Sequence, residues 1–328
     1  MTRALRAAPT VLAPNGAPEF GSFRGGLPRM DFGPIPKGRL WKMLHEKRWT
    51  YVAVADEHVF AAMAVVSLNY VATAMVFVLD RATGNLLVDR SVLGPGGAAS
   101  FEDAGDGKRK ALFRWGRTEL SLSDEGCVVD LAGDSTPIHI VMRPRSGPAE
   151  PIAAVVPIEG GYANATEKRL IDAEVEIVAA GRRFLLDRAV AAFDHTAGFL
   201  ARHTAWRWAL GMGFAKSGER VAFNLVEGFV GEPECGGWVG DELFALGEGR
   251  FEVDLARPLE PWRVRTTCGS VDLRFLPKAI HAEDKDMLLV RSKFIQPIGE
   301  FEGTISLGGR RFEVARLPGV TEHQDVLW

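Results

Sequence analysis

The chain has 328 residues and a mass of 35.8 kDa, enough for two domains or one large β unit. Its 39 Lys and Arg against 42 Asp and Glu leave a formal charge of −3, and 47% of its residues are hydrophobic. That composition belongs to a globular protein and excludes a disordered tail. It also excludes a nucleic-acid binder, because the one basic cluster, Lys108-Arg109-Lys110, is read in a Gly/Asp loop and is too short to neutralise many phosphates.

From the N-terminus, Arg3 and Arg6 precede Pro9, Thr10, Pro14 and Asn15, which break up any apolar run of the kind an export signal requires. A cytoplasmic location is therefore expected. Cys127, Cys235 and Cys268 are odd in number, widely spaced and without a C-x-x-C pair, so no disulfide framework or zinc site is expected. A Pro/Gly-rich leader over 13–38 should lie across a scaffold formed later. Residues 37–47 are the best helical segment, with Leu40, Met43, Leu44 and Lys47 on one face.

Strands follow in series at 49–55, 59–66, 71–79, 86–92, 110–114, 118–122, 128–131 and 137–142. Residues 59–79 include 18 apolar residues of 21, long enough to span a bilayer. Their Val and Ala content, the interruptions at Ser67, Asn69 and Thr73, and the flanking Glu57 and Asp80 read instead as two buried strands. Asp80 to Asn85 reads as a hairpin loop. The Pro/Gly-rich stretch 143–161 is the expected linker, dividing a leader and first β-barrel-like domain (1–160) from a second (161–328).

Beyond it, strands are expected at 175–179, 183–186, 190–193, 204–214, 220–226, 242–246, 250–255, 262–266, 270–275, 287–294, 303–307 and 311–316. Several alternate cleanly, as Val271, Leu273 and Phe275 do against Asp272 and Arg274. A wet face and a dry face belong to antiparallel sandwiches or barrels, so the fold class is all-β with little helix.

Strand 204–214 is the most informative. Period two puts Trp206, Trp208, Leu210, Met212 and Phe214 on one side and Ala205, Arg207, Ala209, Gly211 and Gly213 on the other. The large side chains either fill a core or line an apolar cavity, where an indole face could hold a greasy ligand or stabilise a cation. Asp194-His195 and Glu322-His323 each set a carboxylate beside an imidazole, an acid/base pairing, although neighbours on a strand face opposite ways. The bland alternatives are turn capping and terminal anchoring.

The run His281 to Asp286 offers nitrogen and oxygen ligands but has the composition of a solvated loop. Residues 232–238, with Glu234 and Trp238, read as a connector or a loop over a cavity mouth. Asn164-Ala165-Thr166 matches a glycosylation tripeptide, which carries no weight without export. The Walker, dinucleotide, zinc-protease and G-x-S-x-G signatures are absent, so no cofactor or metal is expected.

Residues 11–16, Trp41, Lys47-Arg48-Trp49, the 59–80 strand pair with Thr83-Gly84, Tyr162 with Thr166 and Lys168, and Asp194 with Thr196 and Gly198 form a recurrent signature. So do His203 to Ala209, Asn224-Leu225 and Gly319 through Trp328. With these the chain resembles the bacterial family known as domain of unknown function 2804. The order Tyr162, Asp194-His195-Thr196-Ala197-Gly198, Trp206-Arg207-Trp208, Gly218 and 221–225 is similar to two-domain lipocalin-like (calycin) proteins. That group includes carotenoid 1,2-hydratases, AttH-like proteins, kievitone hydratase and fungal Diels–Alderases.

This chain departs from those patterns at Thr196-Ala197 and in the spacing of Glu322 and His323. The resemblance implies two consecutive lipocalin-like barrels with an apolar cavity in or between them. It makes Tyr162, Asp194, His195, Trp206 and Trp208 candidate positions. Glu322 and His323 join the acid/base candidates, and Asn224 and Trp238 the ligand-binding ones. The expected partner is a hydrophobic small molecule, a lipid, polyene or terpenoid. Cofactor-free hydration, isomerisation or cyclisation, a non-catalytic carrier and a filled structural barrel are the readings left open.

Overall fold

The computed structural model describes residues 3–105, 107–132, 137–286 and 290–328. Among these the chain is nearly all strand, with one α-helix, Arg39–His45. The strands build two curled sheets, antiparallel but for a two-residue parallel pairing near the N-terminus. The first runs, in spatial order, Asn85–Pro95, Val71–Asp80, Val59–Ser67, Glu46–Ala55, Arg182–Phe199, Ala163–Ala179, Ile138–Pro144, Gly126–Leu131, Thr118–Ser123, Arg109–Trp115 and Ala99–Asp103. The second runs Glu242–Ala245, Gly236–Val239, Arg220–Gly228, His203–Phe214, Arg310–Leu327, Arg291–Leu307, Val271–Asp286, Trp262–Thr266 and Gly249–Glu252. The chain changes sheet between Phe199 and His203, and the Pro/Gly-rich stretch 143–161 lies within the span of the first sheet.

The apolar run 59–79 is the hairpin its composition predicts, turning at Asn69, whose φ of 71° is one that Asn tolerates. No helix among the described residues is long and apolar enough to cross a membrane. The absence of alternation in this run has a structural cause. Val59, Ala61, Met63 and Val65 face a core enclosed by the first sheet, while Phe60, Ala62 and Ala64 face a second core shared with the other sheet. Val52 and Val54 against Tyr51, Ala53 and Ala55, and Val76 and Val78 against Met75, Phe77 and Leu79, divide in the same way. A strand buried on both faces needs apolar residues at every position. The strands Arg109–Trp115, Thr118–Ser123, Gly126–Leu131 and Ile138–Pro144 alternate, with Leu120, Leu122, Val129 and Ile140 inside and their neighbours toward solvent. The first sheet is thus filled by its own side chains.

Some sequence expectations are corrected. The helix occupies only Arg39–His45 and leaves Leu40, Met43 and Leu44 exposed, whereas Trp41 stacks on His45 and Phe199. The short strands expected at 175–179, 183–186 and 190–193 belong to the long strands Ala163–Ala179 and Arg182–Phe199. Their polar residues pair inside the protein, which erased the alternation. His281 to Asp286 is not a loop but the end of the strand Val271–Asp286, with His281 buried. The strand expected at 250–255 ends at Glu252. Of 287–294, residues 287–289 lie outside the described residues and the strand begins at Arg291. Arg109, read as part of a basic loop, starts a strand and is buried against Glu167.

The bare face of His203–Phe214 admits close packing. A Cβ on Gly211 would come within 2.5 Å of Phe223 and 3.2 Å of Phe301, two fully buried rings in edge contact. Gly211→Ala is therefore expected to cost about 1–3 kcal/mol in urea denaturation by overpacking. Gly97→Ala, where a Cβ meets nothing within 4 Å, should be near neutral. Equal effects would show that the small face is not under packing constraint.

Candidate functional site

Where the two sheets face each other they enclose a cavity of about 200 Å³. Cross-strand register places its polar groups. On the first sheet Lys168, Asp194, Tyr51, Ala64 and Met75 are successive partners across neighbouring strands. On the second, Trp208 lies between Val226 and Glu322. All of these line the cavity, with Trp49, Trp206, Phe229, Glu234 and Gln296. Leu68, Leu93 and Trp328 belong to the same lining, and Leu93, 46% exposed, marks the outer end where it reaches solvent.

Trp206 and Trp208 both face this space. The Trp206 ring stacks against Trp49 with centroids 6.1 Å apart, and Trp208 meets Tyr51 edge-on at 5.3 Å. Their N–H groups fix them from behind: Trp206 Nε1 donates to Glu322 Oε1 at 2.7 Å, and Trp208 Nε1 to Asn224 Oδ1 at 2.7 Å. Asn224 in turn donates to the Glu234 carbonyl at 2.9 Å. Both indoles border the cavity with their polar edges satisfied, and the Trp206 ring also packs against Phe229 with centroids 5.4 Å apart.

Glu322 is 7% exposed. Its second oxygen accepts from Gln296 Nε2 at 2.6 Å, and Tyr51 Oη donates to Gln296 Oε1 at 3.4 Å. Burial lifts this carboxyl from 4.5 to about 7, outweighing the N–H donors of Trp206 and Gln296 that favour its ionised form. Tyr51 is also held well above its ordinary value, by burial and then by Glu322 and Asp194.

Beside it lies a charged triad. Lys168 Nζ is 2.5 Å from Asp194 Oδ1 and 3.1 Å from Glu234 Oε2, with all three side chains nearly removed from water. Burial works against the ammonium, but Asp194 and Glu234 outweigh it and raise Lys168. Burial also raises Glu234, with Lys168 opposing and Asp194 adding to the effect. Lys168 is thus favoured in its charged form with Asp194 as its closest partner, and Glu234 is the carboxyl group displaced upward. The site thus joins an apolar space, two indoles and two carboxyl groups raised by burial, of which Glu322 titrates at about 7.

The other sequence candidates are dispersed. His195 sits on the face opposite Asp194, with Nδ1 3.1 Å from Thr50 Oγ1 and Nε2 3.1 Å from Asp124 Oδ1. His323 lies on the face opposite Glu322, outside the cavity lining, and burial followed by Arg207 lowers its pKa. Tyr162 Oη donates to the Gly16 carbonyl at 3.2 Å and packs edge-on to Phe32, holding the leader. Trp238 is buried and donates to the Glu150 carbonyl at 2.8 Å. Lys168, Tyr51, Gln296 and Trp49 reached the site without being singled out as site residues from the sequence. Trp49 and Lys168 belonged to the family signature, whereas Tyr51 and Gln296 offered no signal beyond lying on strands whose partners carry Asp194 and Glu322. No group of three His, Cys, Asp or Glu among the described residues is arranged to hold a metal ion.

The electrostatics give two expectations. Below about pH 4.5 Glu322 is protonated in the folded and unfolded chain alike. Between there and about pH 7 only the unfolded chain ionises, so stability falls as pH rises, by up to about 3 kcal/mol. Glu322→Gln should remove that slope in denaturation curves collected across this range, and an unchanged slope would place the titration elsewhere. Lys168→Met should leave Asp194 and Glu234 uncompensated and cost about 3–5 kcal/mol, partly recovered in Lys168→Met/Asp194→Asn. No recovery would show that the triad is not coupled.

Comparison with solved structures shows the fold. CghA, in its crystal structure with Sch210972, is 11% identical with a TM-score of 0.51, covering 86% of this chain and 88% of that one. Kievitone hydratase from Nectria haematococca is 11% identical with a TM-score of 0.49, covering 93% of this chain and 95% of that one. The curated proteins hold no match to this chain. The two successive curled sheets are lipocalin-like antiparallel half-barrels, and the match to Domain of unknown function (DUF2804) extends over residues 2–328, so the chain belongs to that family.

Proposed function

We propose that this protein, in the cytoplasm, encloses an apolar small molecule between its two sheets and uses Glu322 as the acid of a cofactor-free isomerisation, hydration or cyclisation. The observation that carries the reading is one buried carboxyl group with a pKa of about 7, set against two indoles in a cavity open at one end. The fold shared with CghA, a structure solved with Sch210972, supports a small-molecule role. The cavity is smaller than the roughly 300–1,000 Å³ of most ligand pockets. A long polyene or acyl chain therefore places its reacting segment at the inner end and extends past Leu93.

In this reading the protonated Glu322 gives its proton to an alkene carbon. The alkene's π pair forms the new C–H bond, and the O–H pair stays on the carboxylate, whose oxygens Trp206 and Gln296 already hold with N–H donors. The carbocation faces the indoles of Trp206 and Trp208, where ring quadrupoles stabilise positive charge. Loss of a proton from a neighbouring carbon to Asp194 completes an isomerisation. Capture by water or by a second alkene, followed by proton loss, gives hydration or cyclisation. His195 and His323 have no part, since both lie on the far faces of their strands. Tyr162, Asn224 and Trp238 act by holding the leader, Trp208 and the sheet connection in place.

A second reading is a non-catalytic carrier of the same ligands. It is favoured by the engagement of both Glu322 oxygens, which would also suit a fixed polar anchor. Native mass spectrometry of freshly purified protein should show an apolar adduct on either reading. Unsaturated lipids related to that adduct should then turn over, with Glu322→Gln lowering kcat by roughly 10²-fold or more. Turnover unaffected by both Glu322→Gln and Asp194→Asn would overturn the catalytic assignment. Tight binding without turnover would establish the carrier.

A further inference from the structure

The helix Arg39–His45 turns the wrong side to water. Leu40, Met43 and Leu44 are 66%, 43% and 45% exposed, although they are its aliphatic residues. The helix is not loose: Trp41 stacks on Phe199, and His45 Nδ1 is 2.7 Å from the Leu200 carbonyl. A short anchored helix that keeps three aliphatic side chains in solvent has a face without a partner among the described residues.

Two further observations say what suits that face. Lys37 and Arg39 are exposed and Lys42 half-exposed beside the aliphatic face, while Lys47 is buried and Arg48 is paired with Glu46, the one acid of residues 37–48, in a chain whose net charge is −3. The helix also abuts the cavity's outer end. The Met43 carbonyl accepts from Asn69 Nδ2 at 3.4 Å, next to the lining residue Leu68, and the Leu44 carbonyl accepts from Lys47 Nζ at 2.6 Å. That ammonium lies over the ring of Trp328, another lining residue.

We infer that the exposed face of this helix docks on an anionic lipid surface, placing the cavity mouth against the bilayer from which an apolar guest enters. Aliphatic residues beside solvent-facing Lys37, Arg39 and Lys42 are the pattern of a segment lying in the interface, its cations at the headgroups and its apolar side chains below them. A second copy of this chain fits less well, because a two-fold contact through this patch would set like charges against each other. The short helix supplies reversible association and no insertion. The inference deepens the apolar-guest reading, yet the surface can be tested without any guest.

The test is flotation of the full chain with phosphatidylcholine vesicles, with and without phosphatidylglycerol. The wild type should float with the anionic vesicles, weakly or not at all with the neutral ones, and progressively less as salt rises. Leu40→Glu/Met43→Glu/Leu44→Glu and, separately, Lys37→Glu/Arg39→Glu/Lys42→Glu should each weaken association roughly tenfold or more. Unchanged thermal unfolding is expected of both, since the altered side chains lie largely at the surface. Glu322→Gln should float like the wild type, so retained flotation together with turnover that this substitution leaves unchanged would count against the catalytic reading alone. No flotation with anionic vesicles, equal flotation of the first triple variant, or a wild-type dimer abolished by that variant would overturn the docking surface.

Discussion

A carboxyl group held away from water without a close cation is the constraint on which the rest of the site depends. Glu322 is kept between two sheets, and its immediate partners are the neutral N–H groups of Trp206 and Gln296. In such surroundings the neutral acid is favoured far more than in solution, and burial brings its titration to the physiological range. The neighbouring triad solves the same problem differently, by enclosing its own cation. Lys168 pairs most closely with Asp194, and the second carboxyl, Glu234, is pushed toward its protonated form. Two kinds of buried acid thus lie on one apolar space, one balanced by a counter-ion and the other kept neutral.

The sheet arrangement creates that space. The first sheet fills its own interior and offers its outer face, through Tyr51, Ala53, Phe60, Ala62 and Phe77, to the second. Small residues such as Ala64 at the facing positions, and indoles supported from behind by Glu322 and Asn224, keep the sheets from closing completely. An acid placed inside either filled core would have had no access for a guest. At the junction it has both shelter and an opening, beside a helix whose aliphatic face is turned outward.

Much of the architecture was legible because it rests on local patterns. Alternation marked the strands of the second sheet, the Asn69 interruption marked the hairpin, and the one-sided bulk of 204–214 placed Trp206 and Trp208 on a common face. The long strands around Lys168 and Asp194 were not legible, because their polar residues are satisfied by partners far away in sequence and so left no alternation to read. Lys168 reaches Asp194 only through strand register, and Glu234 only by burial of a Pro-containing turn. The same period-two geometry that set Asp194 and Glu322 inward turned His195 and His323 away. The helix face formed by Leu40, Met43 and Leu44 was legible from spacing, but not its orientation: it is exposed, and Trp41 packs on the chain instead.

The most direct measurement is anomalous diffraction from crystals soaked with a bromine-labelled unsaturated fatty acid. The account predicts a bromine peak between the sheets, bounded by Trp206, Trp208 and Glu322, with the rest of the ligand leading out past Leu93. A well-diffracting soak with bromine only at the outer surface, and the two indoles in contact across a closed junction, would contradict it.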